Sequence, residues 1–204
     1  MTICRYKPLI EIRPAFIAFL CAYYYFDPAR SFFPFLFSVT LHEASHLLTL
    51  TCLRVPVCRF SLSAVGAVLE TPPLSYRDEI IAAASGPAVN AVLFLLLIQK
   101  DPAFALVNFC LLAYNLLPFY PLDGGRILRA VLCTLFQERT AQIVERLITL
   151  LGMLSLTALA VYLTCIWHAG LWPVLVCAIL LMKISCQRET TFFPVRVDKR
   201  KSAC

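Results

Sequence analysis

Charge is scarce in this chain: only 15% of its 204 residues are Asp, Glu, Lys or Arg, while 60% are hydrophobic. Mean hydropathy is +0.79. A soluble domain carries about a quarter charged residues, so the composition disfavours a soluble globular domain and reads as a polytopic membrane protein. There is no low-complexity segment and no internal repeat, which excludes a solenoid or an array. Among the ten cysteines no CxxC pair occurs, which argues against a cysteine zinc site. They read as small buried hydrophobes or reduced thiols rather than a disulfide framework. The start, MTICRYKPLIEIRPAF, lacks a small-residue cleavage site after a short apolar core, so the first span is expected to stay in the mature protein. Histidine is rarer still, with three in the chain.

Long apolar runs are what is abundant. A span needs about 20 mostly apolar residues, and six runs qualify or nearly so: 9–26, 31–53, 80–98, 103–120, 147–167 and 171–184. The expected fold class is therefore an all-α polytopic membrane protein of about six transmembrane helices. Residues 57–70, VCRFSLSAVGAVLE, alternate partly and suggest a short membrane-associated β-hairpin. Residues 126–147 place Ile127, Val131, Leu132, Leu135 and Phe136 at helical spacing against Arg126, Arg129, Glu138 and Arg139, the pattern of an amphipathic helix on the inner leaflet. The expected organisation is one membrane domain over 1–184 and a short basic cytosolic tail over 185–204.

Basic residues set the expected orientation. With the N-terminus in the cytosol, sixteen of the eighteen Lys and Arg fall in cytosolic segments, and only Arg30 and Lys100 fall outside. The positive-inside effect then puts both termini in the cytosol. It also accounts for the net charge of +6, so no nucleic-acid partner is called for. Tyr23, Tyr24, Tyr25, Trp167 and Trp172 fall at outer interfaces, where aromatic belts sit.

Against that apolar background the second run carries HEASH, residues 42–46. Ionisable groups within a membrane are costly and usually functional. His42 and His46 are four apart on a helix, so their imidazoles share a face and can bind one Zn²⁺. Glu43 lies beside that face and can take a proton from the attacking water without ligating the metal. The site would lie roughly 16 Å from the start of its run and 10 Å from its end, nearer the cytosol. A catalytic zinc normally takes three protein ligands. His168 belongs to the outer turn and is a poor third. Glu70, Asp78 and Glu79 stand at no informative spacing. Asp123 lies in NLLPFYPLDGGR, residues 115–126, where two prolines break the fourth run. From the spacing alone, it is either a ligand or the start of an ordinary Asp-Gly turn.

HEASH at 42–46, SGPAVN at 85–90 and NLLPFYPLDGGR at 115–126 together resemble the three ordered motifs of the site-2 proteases, intramembrane zinc metalloproteases. The short six-span form is similar to the stage IV sporulation protein FB group. The resemblance covers roughly residues 9–184. It implies one Zn²⁺ per chain held by His42, His46 and Asp123, with Glu43 as general base. It implies that Asn90 and Asn115 help form the cleft or hold substrate, although Asn115 also reads as a helix–helix hydrogen bonder. It places the segment around Gly66 at the family's strand region near the site. The chain departs from the pattern in having no nucleotide-sensing CBS domain after the last run and no PDZ insertion.

The expected function is that of a zinc-dependent intramembrane endopeptidase acting on a membrane-embedded or membrane-tethered protein near the cytosolic leaflet. The family likeness suggests release of a transcription factor, such as a pro-sigma factor, and a membrane regulatory partner. Two rivals stand beside it. One is an inactive relative acting as a membrane scaffold, which the intact Glu43 disfavours. The other is a metal or ion transporter, which would need ionisable groups on several spans.

Overall fold

The computed structural model describes residues 9–27, 31–63, 66–166, 177–178 and 180–181. The chain order is β1 (Leu9–Ile12), α1 (Pro14–Phe26), α2 (Phe32–Cys52), β2 (Arg59–Ser63), β3 (Gly66–Glu70), α3 (Tyr76–Leu97), α4 (Pro102–Asn115), α5 (Asp123–Leu135) and α6 (Glu138–Ile166). Cys177, Ala178, Leu180 and Leu181 are also helical.

The first apolar run is divided rather than continuous. Pro14 sits in the first turn of α1 and starts that helix, because a proline has no N–H to donate and fits the first helical position. The residues before it pair as a strand instead. β1 runs parallel to β2, with Leu9 opposite Arg59, and β2 runs antiparallel to β3, with Ser63 opposite Gly66. The expected hairpin is therefore present, within a three-stranded sheet of order β1-β2-β3. Arg59, in the middle strand, pairs with Glu11 on one side at 2.8 Å and Glu70 on the other at 3.7 Å.

Two helices among the described residues, α3 and α6, are long and apolar enough to cross a membrane, and α1 and α4 are shorter apolar helices. Among the described residues this corrects the spans expected at 9–26, 31–53 and 103–120. α1 loses four residues to β1. α2 has 21 residues, but its buried polar motif dilutes its hydropathy. α4 stops at Asn115, ahead of Pro118, since the residue before a proline disfavours helix. The fifth run is extended instead, because α6 begins at Glu138 and continues for 29 residues. The amphipathic segment expected over 126–147 is consequently split. α5 ends at Leu135, and Phe136 is extended (φ −128°, ψ 164°). The sixth run and the tail fall mostly outside the described residues.

The outer faces of α1, α2, α3 and α6 expose Tyr25, Phe26, Phe33, Leu48, Leu95, Leu96, Leu151 and Leu154. Contiguous exposed apolar surface of this kind fits membrane association. Among the described residues Cys21, Cys52, Cys110 and Cys165 are exposed and free, Cys133 is half-buried and Cys177 is buried. Cys58 is disulfide-bonded, which corrects the reading of the cysteines as buried hydrophobes or reduced thiols at that position.

α3 is the hub, packed against α2, α4 and α5. Its buried face is Ala82, Ala83, Gly86, Pro87 and Asn90, and such small residues let helices approach closely. A second cluster, Phe119, Leu122, Met153 and Leu180, fastens the loop after α4 to α6 and the following helical residues.

Candidate active site

His42 and His46 lie on the buried face of α2, in line with Ser38 and Leu50. Asp123 opens α5, where a carboxylate is favoured by the helix dipole. The fold brings the three together. His42 Nε2 lies 3.1 Å from Asp123 Oδ2, His46 Nε2 lies 3.3 Å from the same oxygen, and the two Nε2 atoms are 3.2 Å apart. The residues are 5%, 4% and 7% exposed.

The geometry fits a metal. With bonds of about 2.0–2.1 Å, neighbouring ligand atoms of a tetrahedral zinc lie about 3.3 Å apart. The proton inventory agrees. His46 Nδ1 donates to the Ala82 carbonyl at 2.7 Å, so the Nε2 of a neutral ring presents a lone pair toward Asp123. The His46 Nε2 lone pair, the His42 Nε2 and a carboxylate oxygen converge, shielded from water, and this donor set suits a cation between them. Ser85 Oγ, 3.2 Å from His46 Nδ1 and donating to the same Ala82 carbonyl, steadies this arrangement.

Asp123 is held from behind. Arg126 Nη1 lies 3.6 Å from Asp123 Oδ1, while Arg126 Nε donates to Glu79 Oε1 at 2.8 Å. The guanidinium thus takes the oxygen that faces away from the histidines. Tyr120, in the loop before α5, carries Arg129 over its ring at 5.2 Å.

Three glycines make the site possible by what they leave out. A Cβ on Gly86 would run into His46 Nε2 and the ring of His42. Cβ atoms on Gly124 and Gly125 would run into the backbone of Leu116, Leu117, Phe119 and Tyr120. Gly124 and Gly125 lie in the first turn of α5. They serve the close approach of that helix to the preceding loop, not a tight turn after the aspartate.

Of the remaining sequence-derived site residues, one lies beside the triad. Glu43 is half-buried on α2 next to it. Asn90 is fully buried on α3. Asn115 ends α4, and Gly66 begins β3 at the hairpin. Sequence reasoning missed Gly86, Arg126 and Glu79 as site components. The Asp-Gly-Gly-Arg spacing held the signal for Arg126, since i and i+3 share a helix face.

The model of the family described as Peptidase family M50 matches residues 102–159. A zinc metalloprotease of Methanocaldococcus jannaschii is 30% identical over 108 residues, covering 47% of this chain and 32% of that protein. The chain therefore spans about a third of that curated relative's length. The solved site-2 protease from Methanocaldococcus jannaschii superposes with a TM-score of 0.64 at 21% identity, covering 91% of this chain and 92% of the other. The likeness is to peptidase family M50 over residues 102–159 and to a solved site-2 protease in fold.

The M50 match contains Asn115 and Asp123 but not HEASH, so the histidines rest on their own geometry. The likeness to the solved site-2 protease extends to the fold as a whole.

Proposed function

We propose that this chain is a zinc-dependent intramembrane endopeptidase. The observation that supports this best is the convergence of His42 Nε2, His46 Nε2 and Asp123 Oδ2 in a buried cluster of metal-ligand spacing. Zn²⁺ held there would polarise the scissile carbonyl and acidify water at neutral pH.

The other roles belong to the chain. Glu43 takes the proton of the attacking water as its oxygen bonds to the carbonyl carbon. It returns a proton to the amide nitrogen as the C–N bond breaks. The Ala82 carbonyl holds the ring of His46, and Arg126 with Glu79 holds Asp123, so the ligands are set before substrate arrives. An intact substrate helix shields its carbonyls, so the substrate unwinds locally. β3 is an edge strand among the described residues, and the segment from Gly66 offers main-chain groups for strand addition, with Asn115 and Asn90 proposed to help form the cleft or hold substrate.

In this reading the chain is multi-pass with both termini in the cytosol, and the bond cut lies near the cytosolic leaflet. The substrate is a membrane-embedded or membrane-tethered protein; a pro-sigma factor, as in the sporulation-type relatives, is the specific candidate, with a membrane regulatory protein as partner. The test is cleavage of tethered candidates co-expressed with wild-type enzyme and with Glu43→Gln. Shortened product with the first and none with the second supports a peptidase. Full biological activity retained by Glu43→Gln would instead favour a membrane scaffold.

A further inference from the structure

A buried polar atom in an apolar bundle costs about 1–3 kcal/mol unless it finds a partner. Seven buried side-chain atoms among the described residues have none: Ser38 Oγ, His42 Nδ1, Asn90 Nδ2, Asn90 Oδ1, Asn108 Oδ1, Glu11 Oε2 and Arg59 Nε. The last two belong to an ion-paired couple in the sheet. The other five lie on the buried faces of α2, α3 and α4.

His42 and His46 face Gly86 on α3, and His46 also meets Ala82 and Ser85. The two helices therefore run antiparallel here. Ser38, one turn before His42, is level with Asn90, one turn after Gly86. α4 returns antiparallel to α3. Phe37 packs on Phe104 at 6.0 Å and Phe94 on Phe109 at 5.3 Å; the first pair sets Asn108 about 4.5 Å from that level on the metal side and the second about 7.5 Å from it on the other, so the two bracket it. Ser38, Asn90 and Asn108 are each 0% exposed. Asn108 spends its amide N–H on the Phe104 carbonyl at 3.1 Å, leaving its oxygen. His42 directs Nε2 at Asp123, and its other ring nitrogen, Nδ1, is buried without a partner.

We propose that Ser38, Asn90 and Asn108 form a binding site for ordered water on the side of the metal cluster away from α5, and that this water accepts the Nδ1–H of His42. Water suits the set because it both donates and accepts. Two molecules satisfy all five atoms: between them their hydrogens meet Asn108 Oδ1 and Asn90 Oδ1, and their oxygens accept from His42 Nδ1, Asn90 Nδ2 and the Ser38 hydroxyl. His46 has its outer partner in the Ala82 carbonyl; the water is the corresponding partner for His42, fixing its ring and raising its basicity. Asn90 and Asn108 are thus positioning residues that act through solvent. The role toward His42 rests on the zinc reading; the water site itself does not.

The test pairs a structure of the purified zinc-loaded protein, at a resolution that shows solvent, with zinc affinity measured by chelator competition. The affinities compared are those of wild type, Ser38→Ala, Ser38→Thr and Asn108→Leu. The expected result is solvent density bonded to Ser38, Asn90 and Asn108. Affinity falls about 10–100-fold in Ser38→Ala and Asn108→Leu and is retained in Ser38→Thr. Thermal midpoints stay near wild type, which separates the role from a merely structural one. A dry layer with the three side chains bonded to one another overturns the water site. Wild-type affinity in both Ser38→Ala and Asn108→Leu overturns its role toward His42. If the wild type takes up no zinc, the metal reading fails, and solvent density in the metal-free protein then decides the water site by its presence or absence.

Discussion

Gly86→Ala is a one-methyl perturbation aimed at the metal cluster. The new Cβ would sit 2.6 Å from His42 Cε1 and Nε2, where carbon contacts are comfortable at about 3.5 Å. The rings must retreat by about 1 Å, or α3 must move away from α2. A metal site tolerates displacements of about 0.2 Å, so the ligand set cannot absorb the change. Overpacking of this kind costs about 1–3 kcal/mol, and if it falls on the bound state, zinc affinity drops about 5–150-fold. Chelator competition on purified protein measures it. Gly152→Ala is the control: its Cβ would meet the ring of Phe119, in the loop-anchoring cluster rather than at the metal. It should lower the unfolding midpoint and leave zinc affinity within about 2-fold of wild type. Wild-type zinc affinity in Gly86→Ala would refute the packing of the histidines against α3.

Arg126→Ala frees the outer oxygen of Asp123 and leaves Glu79 unpaired, so zinc affinity should weaken about 10–100-fold; Arg126→Lys should restore part of it, as competition titrations will report. Glu43→Gln should keep zinc and lower the cleavage rate by at least about 100-fold, measured on a tethered substrate in proteoliposomes. Removing metal with a chelator should abolish cleavage and added Zn²⁺ should restore it; cleavage that persists in metal-free protein contradicts the metal role.

The local chemistry was legible in the sequence, and the tertiary chemistry was not. HEASH announces itself because ligand spacing on a helix is a matter of four residues. That Asp123 approaches the histidines depends on α5 lying against α3, and no spacing reveals that. Arg126 and Glu79 read as ordinary cytosolic charges because their partnership spans 47 positions. Gly86 was visible only as part of a motif, since its use lies in the room it leaves for rings on another helix. The hairpin was readable from alternation and glycine, but β1 was hidden in an apolar run ahead of Pro14. Hydropathy also overcounted spans: it registers apolar content, and registers neither the proline that ends α4 nor the break at Phe136 that shifts residues into α6.

Zinc per purified monomer, measured by elemental analysis for wild type, His46→Ala, Asp123→Ala and Glu43→Gln, tests the central claim most directly. The account predicts one zinc in wild type, loss in His46→Ala and Asp123→Ala, and retention in Glu43→Gln. Wild type that holds no zinc and takes none up on addition would contradict it.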